Sequence, residues 1–329
     1  MKNNKIKIVF FWTPEFSSNI LQEFIDSDKY DVKAIVTQID KKVWRKQEIT
    51  SSQVKKVWLK NNFKLEDIHT PKLIKNNTKF LDRLKSYNAD YFVVVAYGKI
   101  LPLELLNIPK DWCINLHVSK LPKYRWASPI QSALLNGDTE TWITVMQMDE
   151  SMDTGNIIDI LNLDIKHSDT SLSIFNKIEN IWWEFLLETL YKFYNNEINS
   201  YKQNDSNATY CSKIKKSDWE ILKIESSKSI YNKYQAYTPW PWIYTKYNNK
   251  TLKLLDLDYI DLTRNKELFL ELESLEEIKD KSIFTVIEFN KKIYLKTKNW
   301  YVELLEVQLE WKKRQEIWVF IRWYPDFIN

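Results

Sequence analysis

The sequence predicts an α/β domain built on a parallel sheet, followed by a smaller domain made mostly of β-strands. Three observations carry that prediction. Near the start, an apolar run (Lys5 to Phe11), a turn, an amphipathic stretch and a second apolar run (Val32 to Thr37) follow one another in the order of a βαβ unit. Further on, Asn88 to Gly98 is too continuously apolar for a strand with one wet face, so it reads as buried on both. Beyond about residue 210, short alternating runs recur at close spacing, which suggests a small β-barrel or sandwich.

Each element follows from its pattern. After the first strand, Thr13 is placed to cap a helix, with Pro14 at its first position and Phe16, Ile20, Leu21 and Phe24 on one face. From Gln38 to Lys60 the pattern breaks into a polar, basic loop carrying Lys41, Lys42, Arg45, Lys46, Lys55, Lys56 and Lys60; its charge suits a phosphate backbone. The strand Cys113 to His117 is expected beside the Asn88 to Gly98 strand, so that their ends form one pocket. Pro129 to Asn136 reads as a short helix stopped by Gly137. Ile143 to Met148 and Ile157 to Leu161 read as strands, and Ser171 to Tyr194 as a long helix with Ile174, Ile178, Phe185, Leu186 and Leu190 towards the sheet. The domain reading is 1–195, a polar linker at 196–208, and 209–329. A helix over Ser226 to Tyr237 precedes strands within Thr251–Leu257, Ser282–Phe289, Lys292–Thr297 and Tyr301–Leu309.

Composition narrows the class. A net charge of +4 permits an anionic partner without demanding one. Cys113 and Cys211 lack paired or metal-ligand spacing, which argues for a reducing compartment and against a disulfide framework. The basic start has too short an apolar run for a signal peptide, and no window approaches a membrane span, so a cytoplasmic protein without membrane contact is expected.

One count is abnormal. The chain has 3 glycines, where ordinary usage gives roughly 23, and it has 15 tryptophans. Tryptophans stand where turns usually need glycine: Trp12, Trp126, Trp219, Trp242, Trp300 and Trp323. The pattern is read as UGA codons decoded as glycine in the living protein, at these positions and also at Trp44 and Trp142. Trp240 is read as a true tryptophan.

The chemistry is expected around Cys113-Ile-Asn-Leu-His-Val-Ser-Lys-Leu-Pro122. Here a strand ends by presenting Asn115 and His117 at the sheet's carboxyl edge. An amide donor beside an imidazole can hold a developing oxyanion and move a proton. A second motif, Gln147-Met-Asp-Glu-Ser-Met-Asp153-Thr-Gly155, offers a carboxylate to orient that imidazole.

These segments resemble the methionyl-tRNA formyltransferase family, from end to end. The resemblance rests on Phe10-Phe-Trp-Thr-Pro-Glu-Phe16, Val93 to Pro102, Ile114 to Pro122, Tyr124 to Gln131, Val145 to Asp149, Met152 to Gly155 and Pro239-Trp-Pro241. In that family the turn after the first strand and the residues after Arg125 and Pro241 are commonly glycine, which independently supports the recoding. The resemblance implies a Rossmann-like formyltransferase domain and an OB-like C-terminal barrel that lies along tRNA. It implies transfer of a formyl group from 10-formyltetrahydrofolate to methionyl initiator tRNA; that chemistry needs no metal, no Cys/His cluster has ligand spacing, and a monomer is expected. Asn115, His117 and Asp153 match the family's catalytic positions. Ser119, Lys120, Leu121 and Pro122 match its folate-binding stretch, and Tyr97, Gly98, Lys99 and Ile100 are further candidates for the pterin wall. Arg45 falls on the key arginine of the family's tRNA-entering loop, with Lys41, Lys42 and Lys46 beside it. Two rivals remain: a folate-dependent N-formyltransferase acting on an amino sugar or glycinamide ribonucleotide, and a non-catalytic RNA-binding protein on the same scaffold.

Overall fold

The computed structural model describes residues 5–12, 19–43, 48–50, 52–261, 263 and 265–328. Over these residues the chain divides into two units. The first holds Met1–Pro129, Thr141–Leu163 and Asn176–Cys211; the second holds Ile130–Glu140, Asp164–Phe175 and Ser212–Asn329.

The opening βαβ unit forms as the apolar pattern requires. Strand β1 (Ile6–Trp12) is buried except at Lys7. Helix α1 (Asn19–Asp26) places Ile20, Leu21 and Phe24 wholly inside, each contributing about 1.5–3 kcal/mol by burial. Strand β2 (Tyr30–Val36) follows. Thr13, Pro14 and Phe16 lie outside the described residues.

The described part of the expected loop at 38–60 holds secondary structure that its charge did not suggest. It contains β3 (Lys41–Val43) paired antiparallel with β4 (Glu48–Thr50), then helix α2 (Gln53–Lys60). Ser52 caps α2 by accepting from the Lys55 amide, and Val54 and Trp58, one turn apart, are buried. Two apolar anchors among lysines were too few to show as a period. Arg45, Lys46 and Trp44 lie outside the described residues.

Next come β5 (Ile68–His69), α3 (Thr78–Ser86), β6 (Tyr91–Val95), α4 (Leu103–Leu106), β7 (Trp112–His117) and β8 (Arg125–Trp126). They are followed by α5 (Pro129–Asn136), β9 (Glu140–Gln147), β10 (Ile157–Asp164), α6 (Ser171–Tyr194) and β11 (Tyr210–Cys211). All five residues of β6 are buried, as its unbroken apolar run demanded. Gly137 has φ +69° and ends α5. In α6, Ile174, Ile178, Leu186 and Leu190 are buried, while Phe185 is half-buried.

The first unit's sheet has the order β10-β9-β7-β6-β1-β2-β5. Pairings β1/β2, β1/β6, β2/β5 and β6/β7 are parallel, and β9 joins β7 antiparallel. The chain runs outward from β1 to β5, then returns to β6 on the other side of β1. That reversal is where open α/β sheets leave a crevice at their carboxyl ends. The strand carrying Asn115 does lie beside β6, with Asn115 opposite Val94.

Residues 196–208, read as a linker from their polarity, run along this first unit. Tyr201 exchanges backbone hydrogen bonds with Ile157, and Gln203 is buried. Polar composition marks a surface path, and it does not distinguish a free linker from a strap held by specific hydrogen bonds.

The second unit contains α7 (Ser227–Tyr237), β12 (Ile243–Tyr247), β13 (Lys250–Ile260), α8 (Lys266–Ser274) and α9 (Glu276–Lys279). Strands β14 (Val286–Phe289), β15 (Lys292–Lys296), β16 (Tyr301–Leu309) and β17 (Gln315–Glu316) and helix α10 (Ile317–Trp323) complete it. Its antiparallel sheet has the order β12-β13-β16-β15-β14, with β17 on β16. Ile260, Leu272, Ile278, Ile287, Tyr294 and Tyr301 form a core cluster under it. No described helix is long and apolar enough to cross a membrane.

Candidate active site

Asn115 and His117 sit two apart on β7 and therefore face the same side of the sheet. Asn115 is half-buried and, among the described residues, makes no side-chain hydrogen bond, so its carboxamide is open to a ligand. His117 is 8% exposed. Its Nε2 lies 2.9 Å from the Tyr124 carbonyl, which can only accept, so Nε2 carries the proton and donates. Nδ1 is left facing the carboxylate of Asp153, 3.8 Å from Oδ2. The structure thus brings the three residues together, with one refinement. The carboxylate stands at ion-pair range from the ring, beyond hydrogen-bond length, and the backbone of Tyr124 is what orients the imidazole.

Asp153 is held in an uncommon conformation, φ +62°. Its Oδ2 accepts from the Trp126 amide at 2.8 Å. Two residues on, Gly155 approaches the Gln147 carbonyl so closely that an added Cβ would stand 1.9 Å from the oxygen. Glycine is therefore required there by contact.

The turn between His117 and α5 is clamped by the strap that precedes β11. Strand β8 pairs with β11, Arg125 donates its amide to Thr209 O, and the Tyr124 amide donates to Thr209 Oγ1. Arg125 is only 2% exposed; its guanidinium donates to Gln203 Oε1 and to Asp205 Oδ1. Gln203 in turn donates to the carbonyls of Asp153 and Gly155. Neither Gln203 nor the burial of Arg125 was legible in the sequence, because a glutamine in a polar run carries no pattern.

The expected folate stretch is partly structural. Ser119 is buried; its hydroxyl donates to Lys123 O and its carbonyl accepts from Thr144 Oγ1. Leu121 packs with Met146 and Ile157. Lys120 is exposed and stacks its ammonium 3.9 Å over the Trp142 ring. Beside β7, Tyr97 is buried, Gly98 takes φ +71° and Ile100 is 78% exposed. The Lys99 ammonium donates to the carbonyls of Pro71 and Lys72. Of the basic residues, Lys41 and Lys42 fall on β3, while Arg45 and Lys46 lie outside the described residues. Burial pushes the Cys113 thiol well above its usual range, and its Sγ meets Leu106 O, so it is no thiolate nucleophile.

The backbone also bears on the tryptophan count. Trp126, Trp242 and Trp311 take φ values of +81°, +75° and +65°, in the left-handed region that favours glycine. The indole N–H groups of Trp142 and Trp219 are buried without an acceptor among the described residues. Other indoles are closely packed. Trp12 is buried at the end of β1, stacked on Phe10 and edge-on to Trp182. Trp58 is buried, donates Nε1 to Lys64 O and stacks on Phe63.

Comparison with known proteins places the chain in a lineage. Residues 5–190 match the formyl transferase family model, and residues 213–325 match the model of the formyl transferase C-terminal domain. Methionyl-tRNA formyltransferase of Caldicellulosiruptor saccharolyticus is 38% identical over 317 residues, covering 96% of each chain. That of Nitratiruptor sp. is 41% identical over 267 residues, covering 81% of this chain and 85% of its own. Among solved structures, methionyl-tRNA formyltransferase from Clostridium thermocellum superimposes with a TM-score of 0.53 at 20% identity, over 77% of this chain and 93% of its own. The sugar 3N-formyl transferase WlaRD gives 0.62 at 19%, over 94% of this chain and 100% of its own. These last two likenesses show the fold; the family models and the close relatives show the lineage. This chain belongs to the formyl transferase family.

Proposed function

We propose that this chain transfers the formyl group of 10-formyltetrahydrofolate to the α-amino group of methionyl initiator tRNA. The observation that carries the proposal is identity of 38% to a methionyl-tRNA formyltransferase across 96% of both chains, including the C-terminal half. The convergence of Asn115, His117 and Asp153 supplies suitable chemistry. The amine nitrogen attacks the formyl carbon and a tetrahedral oxyanion forms. The open carboxamide of Asn115 donates to that oxygen, one such donor being worth about 3 kcal/mol, and His117 stabilises it by charge once the ring has taken a proton. The amine proton passes to the pair formed by His117 Nδ1 and Asp153, the bond from carbon to the folate N10 breaks, and N10 is protonated.

The donor would lie along the ends of β6 and β7, with exposed Ile100 and Lys120 at its margins. A folate-linked donor fits the family, and WlaRD was crystallised with 5-N-formyl-THF. In this reading the chain acts as a cytoplasmic monomer. Residues 1–195 carry catalysis, Lys41 to Lys46 approach the tRNA acceptor end, and 209–329 track its backbone through phosphate contacts.

The same reading includes the recoding: most tryptophans are glycines in the living protein, Trp126, Trp242 and Trp311 foremost. The left-handed backbone at those three supports it, and the packing of Trp58 argues that it, like Trp240, is a true tryptophan. UGG codons at positions 126, 242 and 311, or a tryptophan-rich mass for the native protein, would refute it. Function is tested by formyl transfer to methionyl initiator tRNA, using the literal chain and one with glycine at every tryptophan but Trp58 and Trp240. Formylated methionyl-tRNA with either chain supports the assignment. If neither formylates it while an amino-sugar nucleotide is formylated, the assignment falls.

A further inference from the structure

The strap at 196–208 contains one side chain whose placement exceeds what packing needs. Gln203 is 4% exposed, and every hydrogen-bonding position of its carboxamide is used. Oε1 accepts from Arg125 Nε at 3.2 Å and Nη2 at 2.8 Å. Nε2 donates to Asp153 O at 2.9 Å and to Gly155 O at 2.8 Å. The orientation of the amide is therefore dictated: a guanidinium only donates and a carbonyl only accepts. Arg125 is itself anchored by Asp205 at 2.7 Å.

Gln203 grips the backbone on both sides of Thr154, while the Trp126 amide holds the Asp153 carboxylate from the other direction. Because Trp126 adjoins Arg125, the two grips share one base. Their combined effect is the Oδ2 position 3.8 Å from His117 Nδ1. The grip at Asp153 is on backbone and the grip from Trp126 is by backbone, so both persist whether residue 126 is tryptophan or glycine. An apolar side chain of equal volume would fill the same space without burying polar groups. What the carboxamide adds is direction.

We propose that Gln203 is a positioning residue for formyl transfer, acting through Asp153 to set the carboxylate against His117. This rests on the functional reading above for its chemistry.

Two isosteric variants test it. Gln203→Met removes all four hydrogen bonds; Gln203→Glu keeps the Arg125 contact but turns acceptors against two carbonyls. In both, kcat for methionyl-tRNA formylation should fall at least about tenfold, with the KM of donor and tRNA within about threefold of wild type. In an Asp153→Asn background, Gln203→Met should add less than about a twofold further loss, because the two act on one step. Unchanged kcat, a raised KM with kcat intact, or full losses that multiply in the double variant would overturn the proposal.

Amide exchange gives a readout independent of activity. The Trp126 N–H should exchange at least about tenfold faster in Gln203→Met, since its acceptor is released. Unchanged protection there would also overturn the proposal. Should the wild type leave methionyl-tRNA unformylated, the functional reading fails, and the exchange measurement still decides whether Gln203 holds Asp153. If Gln203→Met does not fold, Gln203→Glu carries both measurements.

Discussion

Gly155→Ala probes how tightly the Asp153 loop is built. The new Cβ would stand 1.9 Å from the Gln147 carbonyl oxygen and 2.9 Å from its carbon, both backbone atoms that no rotamer can move aside. Carbon and oxygen rest no closer than roughly 3.3 Å, so the loop must shift by about 1.4 Å. That shift breaks the Gln147 N–H to Asn156 O bond of 2.9 Å and the Gln203 to Gly155 O bond of 2.8 Å. Two lost hydrogen bonds at about 1 kcal/mol each, plus a buried amide donor left unpaired at about 1–3 kcal/mol, give about 3–5 kcal/mol. The same displacement moves Asp153 relative to His117, and an error of about 1 Å in a catalytic group costs about a hundredfold in rate. Urea unfolding and steady-state formyl transfer read the two effects separately. An alanine variant within about 0.5 kcal/mol of wild type and with full kcat would refute the reasoning, because the contact would then be relieved without cost.

Asn115→Ala and His117→Ala should each lower kcat by about a hundredfold to a thousandfold, measured by single-turnover formyl transfer; a loss below about fivefold would remove that residue from the oxyanion. Trp311 is 92% exposed at φ +65°. Trp311→Gly should relieve about 1–2 kcal/mol of left-handed strain, less about 0.4–1 kcal/mol of added chain freedom. The net gain, read by urea unfolding, is about 0–1.6 kcal/mol, and a destabilised variant would contradict it. Burial, with Arg83 adding to it and Asp67 opposing, holds the His69 imidazole below its ordinary value of 6.5. The unfolded chain binds that proton more readily, so the stability His69 contributes is complete above pH 6.5 and is lost as pH falls below it. His69→Gln should flatten this part of the acid-side loss in unfolding free energy between about pH 7 and pH 5; an unchanged slope would show that other groups set it.

The sequence by itself determined the layers and the family. A run such as Tyr91–Val95 can satisfy its side chains only between two covered faces, and the period of Ser171–Tyr194 can bury only one stripe. These are local consequences of side-chain spacing. Asn115 and His117 were legible for the same reason, being two apart on one strand, and the shortage of glycine was legible as a count. Trp126, Trp242 and Trp311 acquired their left-handed φ values only in the folded chain.

The tertiary structure alone decided how the site is held. The helix at Gln53–Lys60 depended on Val54 and Trp58 finding cover, which a lysine-rich stretch does not announce. Gln203 became part of the site only when Arg125 and two carbonyls, distant along the chain, met around it. The choice of Tyr124 O as the partner of His117 Nε2 came from a turn whose backbone path no residue type specifies. Hydrophobic period is written residue by residue, whereas a buried polar group takes its meaning from partners that folding brings to it.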